Sequence, residues 1–328
     1  STYLADALPP IKVIWSTVFP TDASTDRRAL FEVAAAYLWS TKHFQMVGGV
    51  QDPEDVPYIL EMIDAVTGDR RSQRDRPVYS MVTCPVSPLK HDAAMTESCI
   101  ALAREWVPIT FWPMALQGAT APVTIAGTLL AVNVEFLSGL VLYQCVQPGL
   151  PMIYPCGPET LDMKTSLASN SSPEGILWTM AFAQLTRFYD VPYMGSGIGS
   201  DAKGPGIQAS YEKMSKGLAA ALAGCDLLNG IGLLSDSNTL SFTQMILDEE
   251  ICNILSYVRR GFEFSEETLM EDAIKRVGFS PAHHLGERCF GVFPGVAAKE
   301  RGVIFHDGLP YKRHSGKNRT KKPAFSAD

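Results

Sequence analysis

Val191-Pro192-Tyr193-Met194-Gly195-Ser196-Gly197-Ile198-Gly199-Ser200-Asp201-Ala202-Lys203 runs into a segment of helical period, Gly206–Ala223, and then into Asp226-Leu227-Leu228-Asn229. A short apolar run, a glycine-rich loop, a helix and a second short run make one strand-helix-strand unit. The same unit recurs along the chain. Candidate strands are Lys12–Phe19, His43–Gly48, Val78–Cys84, Pro108–Trp112, Met152–Pro155, Val191–Met194 and Asp226–Asn229. Candidate helices are Asp26–Trp39, Pro53–Val66, Ala93–Trp106, Val123–Gln144, Pro173–Tyr189, Gly206–Ala223 and Phe242–Arg259, several with an Asp or Ser before a first-turn proline. Helices alternating with short strands cover a parallel sheet. Seven units are one short of a closed barrel, so the expected fold is α/β, a (β/α)8 TIM barrel lacking its N-terminal part. An open doubly wound sheet is the structural competitor.

Residues 1–262 are therefore assigned to the (β/α) barrel, and 263–328 to a C-terminal helical extension, with a helix over Ser265–Val277, followed by a basic tail (Lys312–Lys322) of disorder-compatible composition. The 328 residues are 46% hydrophobic and 19% charged, enough for one large core. A net charge of −7 has the wrong sign for a general nucleic-acid binder. Seven cysteines without a C-x-x-C read as reduced, buried thiols of a cytoplasmic protein. Asn133, Glu135 and Gln144 interrupt the longest apolar run, so no membrane span is expected. Residues Ser1–Pro10 lack the pattern of a signal peptide. The six histidines form no zinc-spaced cluster and no G-x-S-x-G elbow occurs, so neither an intrinsic metal nor a hydrolase is expected.

In a parallel barrel, chemistry sits in the loops after the strands. Ser87-Pro88-Leu89, Gln117-Gly118-Ala119-Thr120-Ala121-Pro122-Val123-Thr124, Gly195–Lys203 and Gly230-Ile231-Gly232 occupy such positions. The second has small residues that admit close approach, and threonines able to bond a ligand or cap a helix; spacing alone favours a tight loop with a Thr cap. The third has glycines but neither phosphate-binding spacing, and its Asp201 and Lys203 are placed to pair across the turn. Phe44, Tyr79, Trp112, Tyr154 and Tyr193 stand at strand positions from which an aromatic cage for a cation could form; each ring alone is better explained by packing. For a lyase or isomerase, the sole candidates for a general base are Asp201 and Lys203.

Pro113–Gly127, with its Gln117-Gly118-Ala119-Thr120 core, closely resembles the trimethylamine methyltransferase family. Asn133-Val134-Glu135, Pro148-Gly149-Leu150-Pro151, Tyr189-Asp190-Val191-Pro192, Asp201-Ala202-Lys203, Gln208-Ala209-Ser210-Tyr211-Glu212 and Asp248-Glu249-Glu250 follow in that family's order. The resemblance covers roughly residues 4 to 285 and implies a methyltransferase that moves a methyl group from trimethylamine or a glycine betaine-like amine to the cob(I)alamin of a separate corrinoid protein. Some members carry pyrrolysine near the segment matching Gly195–Lys203; standard residues here resemble the branch associated with quaternary amines, which release a neutral amine without further activation. The resemblance assigns Gln117, Asp201 and Lys203 to catalysis. Gly118, Ala119, Thr120, Gly195, Gly197 and Gln208 would contact the corrinoid, and Trp112, Tyr154, Tyr193 and Glu135 the methylated amine. Glu135 and Glu212 also suit a structural role, bonding loop amides. Departures are Ala202, where serine is expected, and Leu285–Cys289, where the family pattern ends. The second expectation is a non-catalytic remnant that keeps only a surface for the corrinoid protein or a sister subunit; homo-oligomerisation is compatible with either.

Overall fold

Short apolar runs and longer amphipathic segments fold as α1 (Thr2–Ala7), β1 (Val13–Trp15), α2 (Arg28–Trp39), β2 (His43–Met46), α3 (Val56–Thr67), α4 (Ser72–Asp75), β3 (Tyr79–Thr83), α5 (Ala93–Arg104), β4 (Ile109–Phe111), β5 (Leu116–Gln117), α6 (Ile125–Val146), β6 (Met152–Pro155), β7 (Glu159–Asp162), β8 (Leu167–Ser169), α7 (Pro173–Tyr189), β9 (Tyr193–Gly195), α8 (Ile207–Ala223), β10 (Leu227–Leu228), β11 (Leu233–Leu234), β12 (Thr239–Leu240) and α9 (Phe242–Arg260). The computed structural model describes residues 1–18, 21, 24, 27–69 and 72–277. All the elements just named lie in a unit of residues 1–261.

One seven-stranded sheet runs β1-β2-β3-β4-β6-β9-β10, and every neighbouring pair is parallel. The order follows the chain without reversal. A doubly wound sheet requires a switch point where the order turns back, so that competitor is excluded. The sheet is curled: its first and last strands, β1 and β10, wall one cavity of about 300 Å³ together with Ile231, Met245 and Leu255. The fold is thus α/β with a half-barrel of parallel strands. Separate small sheets, β5-β7-β8 and β11-β12, are insertions after β4, β6 and β10.

All seven expected strands are present; Met152–Pro155 keeps its expected bounds, Val191–Met194 shifts to Tyr193–Gly195, and the others are shorter, Lys12–Phe19 shrinking to Val13–Trp15, with Phe19 outside the described residues. The helix expected from Val123 begins at Ile125, because the Thr124 hydroxyl accepts from Gly127 N at 3.2 Å and caps it. The second unit, residues 262–328, contains α10 (Glu266–Leu269) and α11 (Glu271–Val277). The single helix expected over Ser265–Val277 is split, since Met270 adopts φ +51°. Residues 278–328, with His283, His284, Cys289 and the basic tail, lie outside the described residues.

Two of the sequence expectations about polarity change. By length and composition α6 is apolar enough to cross a membrane, a test that the core helix of a globular fold also passes, and its three interrupting polar residues bond within the fold. Asn133 bonds the Tyr189 and Tyr154 hydroxyls, Glu135 accepts from Ser87 Oγ and Leu89 N, and Gln144 accepts from Gly149 N and donates to Leu150 O. The six described cysteines are free; Cys145 is exposed and Cys84 half-buried rather than buried.

Candidate functional site

Alternation along the parallel strands sorts side chains onto two faces. Phe44, Tyr79, Phe111, Tyr154 and Tyr193 share the main hydrophobic core under the helices. Trp15, Val82, Trp112, Ile153, Met194 and Leu227 form a separate cluster on the other face. The expected cage is therefore corrected. Tyr154 is fully buried, stacked on Phe136 at 3.6 Å, with its hydroxyl donating to Asn133 Oδ1 at 2.9 Å; the Tyr193 hydroxyl donates to Thr179 O at 2.9 Å. Burial pushes both phenols well above their ordinary range. Trp112 alone of the three is on the inner face, edge-on to Trp15 at 5.4 Å, and its buried indole N–H has no partner. Below this pair Gln45 accepts from Trp15 Nε1 at 2.6 Å and donates to Thr110 and Ser80.

The loop 117–124 closes on itself. Gln117 Nε2 donates to Val123 O at 2.8 Å and its Oε1 accepts from Thr160; the Thr120 hydroxyl accepts from Leu116 N at 2.8 Å. Gly118 has φ +87° and faces Met163, while Ala119 is exposed. Neither of the two described cavities is lined by any residue from 117 to 124. Glu135, 2% exposed, accepts from Ser87 Oγ (2.8 Å) and Leu89 N (2.7 Å), which ties it to the loop after β3.

After β9 the glycines serve packing. A side chain at Gly195 would meet Cys225 and Ala220, and one at Gly197 would meet Leu228. Asp201 and Lys203 do not pair with each other. Asp201 accepts from Ser169 Oγ (2.6 Å), Asn170 N (3.0 Å) and Ser171 N (3.1 Å), whereas the exposed Lys203 reaches Ser235 Oγ at 2.8 Å. Gln208 donates to Glu212 at 2.8 Å. Burial by itself would raise the Glu212 carboxyl, but donors from Ser200, Gln208 and the amide of Asp201 outweigh it and hold it below the usual range. Lys213 bridges the loops after β9 and β10, donating to Ile198 O (2.5 Å), Gly230 O (3.2 Å) and Asp248 Oδ2 (2.8 Å).

The centre of this region lies outside the residues expected from the sequence. Lys216 of α8 is 1% exposed and donates to Asn170 O at 2.6 Å, to Asn170 Oδ1, and to Ser196 Oγ at 3.1 Å. Asn170 Nδ2 in turn donates to Glu159 Oε1 at 3.3 Å. Burial lowers the Lys216 pKa to about 8. Burial, then the nearby Glu159 and Asp201, pushes Asp236 up to about 7; burial also raises Glu159. A signal did exist: Ala209, Glu212, Lys213, Lys216, Gly217 and Ala220 share one helical phase, which puts two lysines on the core side of α8. Among the described residues no group of three His, Cys, Asp or Glu side chains is placed to hold a metal.

Similarity to known proteins identifies the family. Residues 2–289 match the family described as Trimethylamine methyltransferase (MTTB). The chain is 37% identical over 240 residues to the trimethylamine methyltransferase MttB of Methanosarcina barkeri, covering 73% of this chain and 48% of that protein. It is 32% identical over 277 residues to the MttB of Desulfitobacterium hafniense, covering 84% and 55%. It is also 32% identical over 233 residues to the glycine betaine methyltransferase of that species, covering 71% and 49%. The chain spans about half the length of the curated relatives it matches. With a family match that takes in nearly the whole half-barrel, this chain belongs to the trimethylamine methyltransferase family.

Proposed function

We propose that the chain forms part of a methyltransferase that takes a methyl group from a quaternary or tertiary amine, and that its sheet supplies seven strands of a (β/α)8 barrel. The observation that carries this reading is family membership joined to a polar constellation where the parallel strands end, around Glu159, Asn170, Ser196, Lys216 and Asp236. Active sites of parallel barrels occupy that end. Trp112 and Trp15 offer ring faces to a methylated ammonium on the inner face of the sheet.

The methyl acceptor in this reading is a corrinoid on a separate protein. The residues expected to contact it, Gly118, Ala119, Thr120, Gly195, Gly197 and Gln208, do not all turn free groups outward: the Thr120 and Gln208 side chains are engaged internally, and Gly195 and Gly197 abut neighbouring side chains. Nor do Gln117, Asp201 and Lys203 have a free group to act on a substrate in this arrangement, apart from the exposed Lys203 ammonium. The chain's part is then to bind the amine, orient it and exclude water. Incubating the protein with cob(I)alamin and a panel of trimethylamine, tetramethylammonium and glycine betaine, and following cobalt methylation by absorbance, tests the reading. Methylation with at least one amine is expected; none across the panel discards it.

A further inference from the structure

The Lys216 ammonium has three N–H donors, and each has an acceptor: Asn170 O, Asn170 Oδ1 and Ser196 Oγ. None remains for a ligand. By taking the carbonyl of the Asn170 side chain, Lys216 fixes its amide so that Nδ2 faces Glu159. Asp201 is similarly spent on Ser169, Asn170 N and Ser171 N. Two carboxyls are left under-supplied with donors. Glu159 has one bond, from Asn170 at 3.3 Å, and Asp236 has a buried Oδ1 with no partner, although its backbone is anchored by a bond from its N–H to Ser200 O.

These groups come from separate elements: Cys156 at the end of β6, Glu159 from β7, Asn170 before α7, Asp201 and Lys203 from the loop after β9, Lys216 from α8, and Asp236 from the β11–β12 turn. Their charges act on one another, with Asp201, Glu159 and Asp236 all favouring the ammonium form of Lys216. Three carboxyls thus surround one fully engaged lysine, with only the exposed Lys203 as a further cation acting on Asp236.

We propose that Lys216 is a positioning residue of the amine site: it fixes Asn170 and Ser196 and supplies the internal countercharge that lets Glu159 and Asp236 receive a methylated ammonium having no carboxylate of its own. This rests on the amine reading above and narrows it, since a betaine carboxylate would meet carboxyls with no spare donor from Lys216. Lys216 touches neither substrate nor acceptor in this role. It acts through Asn170 and the two carboxyls.

The test is calorimetric binding of tetramethylammonium and of glycine betaine between pH 5.5 and 9, on the wild-type protein, K216M and D236N, with the carboxyl titrations followed by ¹³C NMR. The wild-type protein is expected to bind tetramethylammonium roughly tenfold or more tightly than glycine betaine, with affinity rising as Asp236 ionises through about pH 7. In K216M the Asp236 titration and the binding midpoint should both move to higher pH, a shift that loss of packing alone does not produce. D236N, which removes a half-buried group on a turn, covers the case in which K216M does not fold: its binding should lose the step near pH 7 and weaken about tenfold at pH 8. Equal or tighter binding of glycine betaine overturns the proposal and leaves amine methyl transfer standing, as does an unshifted pH profile in both variants. If the wild-type protein binds neither ligand, the amine reading falls together with this one.

Discussion

Lys213 and Asp248 pair at 2.8 Å with neither side chain exposed, and through them the loop after β9 is tied to the loop after β10. Asp248 receives Gly232 N at 2.7 Å and Gln244 Nε2 at 2.7 Å besides the lysine, so every oxygen is occupied. Burial lowers the Lys213 pKa and the Asp248 charge opposes that fall. A buried pair owes its value to completeness, because the loss of one member strands the other's charge. K213M should therefore cost about 3–5 kcal/mol, read from the midpoint of urea denaturation. The double variant K213M/D248L should recover most of that loss, since it removes both charges together. A K213M protein as stable as wild type would show that water reaches Asp248.

The strands and most helices were legible because they rest on local signals, such as the β-rich run Tyr79–Thr83 and the Thr124 and Ser172 caps. The site was less so. Five extra strands of two to four residues carry no periodicity, yet β7 and β8 bring in Glu159 and Asn170. The glycines after β9 suggested ligand approach, whereas they make room for Cys225 and Leu228. Tyr154 lies near the carboxyl end of β6 but Tyr193 opens β9; one residue of phase decides which face a ring takes, and both face the helices. Long-range pairing of Lys216 with Asn170, 46 positions earlier, has no local trace.

Gly139 on α6 lies against the Phe111 ring so closely that an added Cβ would be 2.5 Å from two ring carbons. Alanine normally favours a helix interior by about 1 kcal/mol over glycine. Overpacking a full core costs about 1–3 kcal/mol, and Phe111 is itself held by His91 and Tyr143. G139A should accordingly lower the thermal unfolding midpoint. A raised midpoint would mean that Phe111 can move aside.

Glu32 on α2 is 7% exposed with Oε2 unpartnered, and burial pushes its carboxyl up to about 7 against the opposing Ser16 bond and Arg28 charge. The native state therefore holds this proton at pH values where the unfolded chain, at about 4.3, has lost it. Its contribution to stability is full below about pH 4 and is lost as pH rises through about 7. E32Q keeps the shape and cannot ionise, so it should be more stable than wild type at pH 8 and nearly equal to it at pH 4. Denaturation midpoints at the two pH values decide this; an equal gain at both would assign the effect to packing.

Tyr154 and Trp112 provide the sharpest contrast between a structural ring and a binding ring. Tyr154 is fully buried beneath α6, and its hydroxyl is spent on Asn133. Y154F should cost about 1 kcal/mol of stability, the net worth of one hydrogen bond, with the affinity for a methylated amine unchanged. Trp112 faces the other side of the sheet beside Trp15, and its N–H has no partner to lose. W112L should retain much of the apolar packing but remove the ring face, weakening tetramethylammonium binding by about 0.5–2 kcal/mol. Titration of both variants with the same ammonium salt separates the roles: weaker binding in Y154F with none in W112L would return the cation to the helix-covered face and refute the placement argued from strand alternation.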